Sequence, residues 1–229
     1  PIRLGIFVTM KIGFDAKRAF HNNTGLGQYS RTLIHSLAEF YPQNSYFLFN
    51  PKPSKNHYFN KANIIEVQPS GFINRKFSAA WRSNFVKSDL RKLSIDIYHG
   101  LSHEIPHGIR QSGIKSVVTI HDLIFERYPG QFKPVDVKIY RHKFRYACNN
   151  ADHIIAISEQ TKKDIIAFYN IPAEKITVCY QSCNPIFEKP IDDGTKKNIR
   201  EKYRLPSKFL LSVGSIIERK NLLTICKAL

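Results

Sequence analysis

The chain has 229 residues, 42% of them hydrophobic and 23% charged, an ordinary globular composition with enough length to bury a sizeable core. No apolar run is long enough to span a bilayer, which excludes an integral helical membrane protein. A formal net charge of +17 points to anionic partners, whether nucleic acid, nucleotide phosphates or an anionic membrane surface, and does not choose among them.

The first residues, "PIRLGIFVT", are too short and wrongly flanked for a signal peptide. Met10, the only methionine, directly precedes a strand-like segment, so 1–9 is expected to be a non-native extension; the alternative is an extra strand from "LGIFV". Short β-branched or aromatic runs then predict strands at 11–16, 45–50, 63–69, 95–100, 115–122, 153–158 and 175–180. Several are apolar almost throughout, as strands covered on both faces are. Between them, Tyr29, Leu33, Leu37 and Phe40 form one helical stripe, Phe77, Trp81, Val86 and Leu90 a second, and Tyr140, Phe144 and Ala147 the start of a third. The alternation predicts an α/β fold: an open, mostly parallel Rossmann-like sheet with helices on both faces and ligands at the carboxyl ends of its strands.

This first domain is expected over 10–187. A charged linker with Pro190 and Gly194 and a polar connecting helix occupy 188–206. "FLLSVGS" (209–215) then reads as a new buried strand and "NLLTICKAL" as the opening of a helix, so 207–229 reads as the truncated start of a second Rossmann-like domain.

The segment "FDAKRAFHNNTGLGQYS" sets Gly25 and Gly27 between the first strand and a helix. It is not the dinucleotide fingerprint: Ser30 takes the third glycine position, and the second strand ends in Asn50 rather than an acid. The turn either lets backbone amides approach an anion at a helix N-terminus or is a loop without a ligand. "HEIPH" (103–107) matches a zinc-protease pattern, but Pro106 between the histidines and the flanking glycines predict a turn, and no metal site is expected. His99, His103 and His107 can still gather in a loop at the ligand edge. His121 and Asp122 end a buried strand; His121 either hydrogen-bonds a sugar hydroxyl or caps the strand through a backbone bond. Ser158 reads first as a helix N-cap. Arg219 and Lys220, between a predicted strand and helix, are either a diphosphate clamp or a solvated pair. The cysteines (148, 179, 183 and 226) have no Cys-x-x-Cys spacing and are expected to be reduced thiols in a cytoplasmic protein.

The motifs "GLGQYSRTL", "YHGLSHEIP", "TIHDLIFERYP", "ADHIIAISEQTKKDI" and "LLSVGSIIERKNL", in that order, resemble the family 4 glycosyltransferases of the GT-B fold, especially their mannosyltransferase-like bacterial members. The resemblance implies two Rossmann-like domains facing across a cleft, the first for the acceptor and the second for the nucleotide-sugar. It implies a retaining transfer of a hexosyl unit, perhaps of mannose, to a glycan or lipid-linked acceptor in surface polysaccharide synthesis, with no cofactor beyond the donor. On that basis His121 lies near the transferred sugar; Gly25, Leu26, Gly27, Tyr29, Asp122 and Ser158 contact substrate; and Arg219 and Lys220 neutralise the donor diphosphate. The family's glutamate pair in the second domain has no counterpart here, so little turnover is expected of this chain alone. The competing reading is a non-catalytic basic module that holds polysaccharide, anionic membrane or nucleic acid. Nucleic acid is disfavoured, since the aromatics of "RKFSAAWRSNF" fall at core spacing. The cations of the helix predicted over Arg75–Leu93 (Arg75, Lys76, Arg82, Lys87, Arg91 and Lys92) either dock peripherally on the anionic inner membrane face or form a solvated surface.

Overall fold

The computed structural model describes residues 9–229. The extension or extra strand expected within 1–9 therefore falls, except for Thr9, outside the described residues. Residues 9–182 form one compact unit and Cys183–Leu229 a second.

In the first unit, β1 (Lys11–Asp15) leads into a short α1 (Lys17–His21) and a long α2 (Gly25–Phe40), followed by β2 (Ser45–Phe49) and β3 (Ile64–Val67). A helical run broken at Phe77 comes next: α3 (Phe72–Lys76), α4 (Ser78–Ala80), a π turn over Trp81–Phe85, and α5 (Val86–Lys92). Then come β4 (Ile97–Gly100), β5 (Lys115–Ile120), α6 (Ile124–Arg127), α7 (Pro134–Asn150), β6 (His153–Ala156), α8 (Glu159–Tyr169) and β7 (Ile176–Val178). Each strand lies inside a segment the sequence predicts.

All strand pairs are parallel, in the order β3-β2-β1-β4-β5-β6-β7. The chain reverses its direction of growth between β1 and β4, which opens a crevice at the carboxyl ends of those strands. The sheet has a core on each face, as the alternation along β2 shows. Tyr46 and Leu48 join Phe14, Ile34, Ala38 and Leu101 beneath α2. Phe47 and Phe49 join Trp81, Leu90, Tyr98, Ile120, Phe144 and Ile165, beneath the 72–92 run, α7 and α8.

Two predicted stripes shift. In α2 the buried line is Gly27, Ser30, Ile34 and Ala38; Tyr29, Leu33 and Leu37 flank it, and Phe40 is 74% exposed. In the 72–92 run Trp81, Val86 and Leu90 are buried, whereas Phe77 is exposed. Trp81 and Val86 are five residues apart and would diverge on a regular α-helix. The π turn, in which the Val86 N–H donates to the Trp81 carbonyl, brings them to one side.

In the second unit, α9 (Asp193–Lys202) is capped by Asp192, whose Oδ1 accepts from the Thr195 N–H at 2.8 Å. α10 (Leu222–Lys227) follows a short turn over Glu218–Lys220. The strand predicted at 209–215 does not form: Phe209, Leu210, Leu211 and Val213 are exposed and the backbone is irregular. A strand needs neighbours for its N–H and C=O groups, and no strand of the described second unit supplies them.

Trp81 is fully buried, and its indole N–H donates to Asp89 Oδ2 at 2.7 Å. Trp81→Ala is expected to cost about 3–5 kcal/mol in denaturant unfolding. Phe77→Ala, on the exposed side of the same run, should stay within about 0.5 kcal/mol. Equal losses would mean that Phe77 does not lie on the solvent side of the run.

Candidate functional site at the carboxyl edge of the sheet

The crevice beside β4 and β5 is lined by neutral histidines. His121, one residue beyond β5, is 7% exposed. Its Nε2 lies 3.0 Å from the Leu101 carbonyl and its Nδ1 2.9 Å from Gln181 Nε2. A carbonyl only accepts and an amide nitrogen only donates, so the ring is the neutral Nε2–H tautomer. Burial lowers its pKa against the opposing effects of Leu101 and Asp122. Both readings of His121 thus find a basis in the geometry. Its Nε2 makes the strand-end backbone bond, and its Nδ1 is an acceptor covered by the side chain of an exposed residue, Gln181.

The residues around it fix that ring. The Tyr29 ring meets it edge-on at 4.8 Å, and His103 lies 5.1 Å away, stacked on Phe144 at 4.2 Å. Tyr29 Oη is 3.0 Å from Thr119 Oγ1, which in turn is 2.8 Å from His99 Nε2. Burial, with the neighbouring His121, takes His99 down to about 4 and lowers His103 well below the usual histidine range. His103 adopts φ +65°, a left-handed conformation uncommon outside glycine, in an irregular rather than helical segment. Thus His99 and His103 join the His121 cluster, while His107 packs against Tyr146.

Ser158 is the N-cap of α8: its Oγ accepts from the Thr161 N–H at 3.1 Å. The Thr161 hydroxyl donates to the His121 carbonyl at 3.0 Å, tying the end of β5 to the start of α8. Asp122 Oδ1 accepts from the Ile124 N–H at 3.2 Å and turns the chain into α6. Gly25 and Leu26 are the first residues of α2, where the amides of a helix point outward. The Gly27 N–H is taken internally, by Asn22 Oδ1 and the Thr24 carbonyl, each at 3.0 Å. A Cβ on Gly27 would stand 1.7 Å from the Asn22 carbonyl oxygen, whereas one on Gly25 meets nothing within 4 Å. Gly27 therefore permits α1 and α2 to close on each other. Arg219 and Lys220 lie in the short turn before α10 in the second unit and are exposed.

An ion-pair network that the sequence does not announce stands at the end of β1. Arg82, from the π turn, binds Asp15 bidentately, with Nε 2.9 Å from each carboxylate oxygen and a close contact from Nη2. Its Nη1 is 2.8 Å from Glu104, which Lys143 also reaches at 3.2 Å. Burial opposes the Arg82 charge, but Asp15 and then Glu104 outweigh it and raise the guanidinium pKa. Burial likewise pushes the Glu104 carboxyl up, and Arg82 with Lys143 holds it below its ordinary value. Asp15 and Arg82 are 67 positions apart, so no local spacing could reveal the pair.

Comparison with known proteins agrees with this architecture. Residues 24–185 match the family model of Glycosyltransferase Family 4. The O-antigen chain mannosyltransferase B of Escherichia coli is 25% identical over 226 residues, which cover 93% of this chain and 58% of that protein. The serotype-specific mannosyltransferase WbdA of Escherichia coli is 30% identical over 130 residues, 54% of this chain and 16% of that protein. Among solved structures, a glycosyltransferase from Rickettsia africae superposes with a TM-score of 0.53 at 13% identity, covering 88% of this chain and 51% of that one. HepE from Anabaena, crystallised with UDP and glucose, gives 0.52 at 12% identity, covering 86% and 50%. These two likenesses show the GT-B glycosyltransferase fold, and the chain spans little more than half the length of the first relative.

Two outcomes follow for this edge of the sheet. Gly27→Ala should lower stability by about 1–3 kcal/mol through overpacking, with Gly25→Ala near neutral, as read by thermal unfolding. His99 has a folded pKa below its unfolded value, so the unfolded chain takes up the proton first. Its stabilising contribution is full above about pH 6.5 and is lost as the pH falls toward 4, on the order of 3 kcal/mol in all. Unfolding measured at pH 7 and 4.5 should show a smaller acid loss in His99→Gln than in the parent chain; an equal loss contradicts the assignment.

Proposed function

The chain belongs to Glycosyltransferase Family 4, and on that premise we propose that it forms the acceptor-side part of a mannosyltransferase that builds surface polysaccharide. The observation that carries the reading is the neutral His121 held at the carboxyl edge of a parallel sheet, beside the crevice between β1 and β4. The names of the mannosyltransferase relatives support mannose as the sugar, and HepE bound to UDP supports a nucleotide-sugar donor.

In this proposal the transferred hexose displaces Gln181 and gives a hydroxyl hydrogen bond to His121 Nδ1. The Leu101 carbonyl keeps the Nε2 proton in place, so the ring presents its acceptor lone pair without tautomeric change. As positive charge develops at the anomeric carbon, that electron-rich contact strengthens more than in the ground state. Tyr29 fixes the ring edge-on; Gly25 and Leu26 offer the outward amides of α2; Gly27, Asp122 and Ser158 shape the loops around them. Arg219 and Lys220 balance the charge growing on the diphosphate leaving group, and anomeric configuration is retained.

The protein is further proposed to work on the cytoplasmic face of a membrane. No described helix is long and apolar enough to cross one. The 72–92 run instead exposes Phe72, Ile73, Phe77 and Phe85 beside Arg75, Lys76, Arg91 and Lys92. Arg82, which the sequence groups with these cations, is spent on Asp15 and does not face lipid. Apolar side chains flanked by cations suit an anionic bilayer surface, each cation adding about 1 kcal/mol there.

In a transfer assay on the enzyme that contains this chain, His121→Ala should lower kcat by about 10²-fold or more with little change in donor KM. Arg219→Ala should weaken donor binding as well, because the diphosphate is charged before the reaction starts. An unchanged kcat in His121→Ala leaves that histidine a strand cap alone. For the membrane contact, co-sedimentation should favour anionic over neutral vesicles and fall in Phe72→Ser/Phe77→Ser; equal binding to both vesicle types removes it.

A further inference from the structure

Arg82 and Lys143, the cations of the ion-pair network, also line a groove that the proposed transfer leaves without an occupant. The groove has a volume of about 410 Å³ and lies at the carboxyl ends of β1 and β2. Its walls carry Lys17, Lys52, Arg82, Lys143, Ser78 and His21. Arg82 and Lys143 are balanced by Asp15 and Glu104. Lys17 and Lys52 form no ion pair with a carboxylate among the described residues, so the groove keeps an excess of two positive charges. Burial, and after it the Arg82 charge, lowers the Lys17 pKa against the opposing effects of Glu104 and Asp15.

Two of the lining side chains are already fixed in place. His21 Nε2 donates to Asn50 Oδ1 at 2.9 Å and lies 3.2 Å from the Lys52 carbonyl, which fixes the loop that carries Lys52. Arg82 is locked by its carboxylates and loses no side-chain entropy when an anion arrives. The groove is therefore built for an anion of about two charges rather than for a neutral saccharide.

Its position supplies the rest. β1 is two strands from β5, roughly 10 Å at ordinary strand spacing, so the groove and His121 share one edge of the sheet on either side of the β1–β4 crevice. The helical run that lends Ser78 and Arg82 to the groove exposes Phe72, Phe77 and Phe85 elsewhere on its surface. We propose that this groove is a phosphoryl subsite, which holds a phosphate or diphosphate borne by the acceptor and so sets the acceptor hydroxyl near His121. The word acceptor rests on the glycosyltransferase reading; the anion site itself does not.

The test is a calorimetric titration of the chain with inorganic pyrophosphate, in an Arg219→Ala/Lys220→Ala background so that the second unit's cations do not contribute. Lys17→Ala/Lys52→Ala should weaken binding at least tenfold. Lys138→Ala/Arg145→Ala, on the basic face of α7, should leave it unchanged. Geranyl diphosphate and glucose 1-phosphate distinguish the source: tighter binding of the first assigns the anion to a lipid carrier, and of the second to a phosphorylated saccharide. Pyrophosphate binding that is absent, that survives loss of Lys17 and Lys52, or that falls equally on the α7 face overturns the subsite. None of these readouts needs turnover. A chain that binds pyrophosphate in the groove but belongs to an enzyme transferring no sugar refutes only the glycosyltransferase reading, and transfer without groove binding refutes only the subsite.

Discussion

The buried ion pair between Asp15 and Arg82 is the constraint on which the ligand edge of this fold depends. Desolvating a carboxylate and a guanidinium is costly unless both find full hydrogen bonding, and losing one partner of such a pair typically costs about 3–5 kcal/mol. Asp15 is 3% exposed, so its oxygens must be met by Arg82 and not by water. That requirement draws the π turn against the end of β1, and Glu104 from the β4–β5 loop against both. Three segments far apart in sequence are brought together at the strand ends by one guanidinium. Among the described residues no buried side-chain nitrogen or oxygen lacks a partner, so the cost of the charges is met locally.

The edge is thereby divided into two electrostatic regions. Around β1 and β2 it is charged and cationic. Around β4 and β5 it is neutral, because burial disfavours the charged form of His99, His103 and His121, and His121 adds to that cost at the other two. A histidine kept neutral retains a lone pair for accepting hydrogen bonds near pH 7, and a clamped guanidinium keeps its charge at any physiological pH. Anion holding and hydroxyl recognition call for these opposite properties. Here they lie side by side, separated by the width of a few strands.

The strands were legible because each is a short apolar run bounded by polar residues, and parallel strands covered on both faces have no other way to read. The helical faces were less so. Phe40 and Phe77 fit a 3.6-residue period as well as their buried neighbours do, and periodicity cannot say where a stripe ends. Phe77 in particular sits where the backbone leaves the helical region between two short helical segments, a break that periodicity does not show. His121 and Tyr29 stand out by their place after a strand and in a turn-bearing helix. Of the partners that fix their chemistry, Leu101 and Thr119 lie inside quoted motifs but act through a backbone carbonyl and a single hydroxyl, which residue type does not reveal, and Gln181 lies in none. For 209–215 the apolar composition is that of a strand, but a strand is a property of a pair, and composition describes only one member.

The 72–92 run shows how a single insertion in hydrogen-bond register can serve several surfaces. In a regular helix Trp81 and Val86 would not share a face, and either the core or the salt bridge would lose its residue. With the π turn, Trp81 and Val86 fill the core, while Arg82, next in sequence to Trp81, lies at the sheet edge against Asp15. The same run leaves Phe72, Ile73, Phe77 and Phe85 in solvent, more apolar surface than a stray side chain explains. Regularising the helix would disturb all three roles together. The turn thus couples the packing of the sheet to the composition of both the groove and the exposed face, and a π turn at such a junction is better understood as a structural requirement of the site than as an irregularity tolerated beside it.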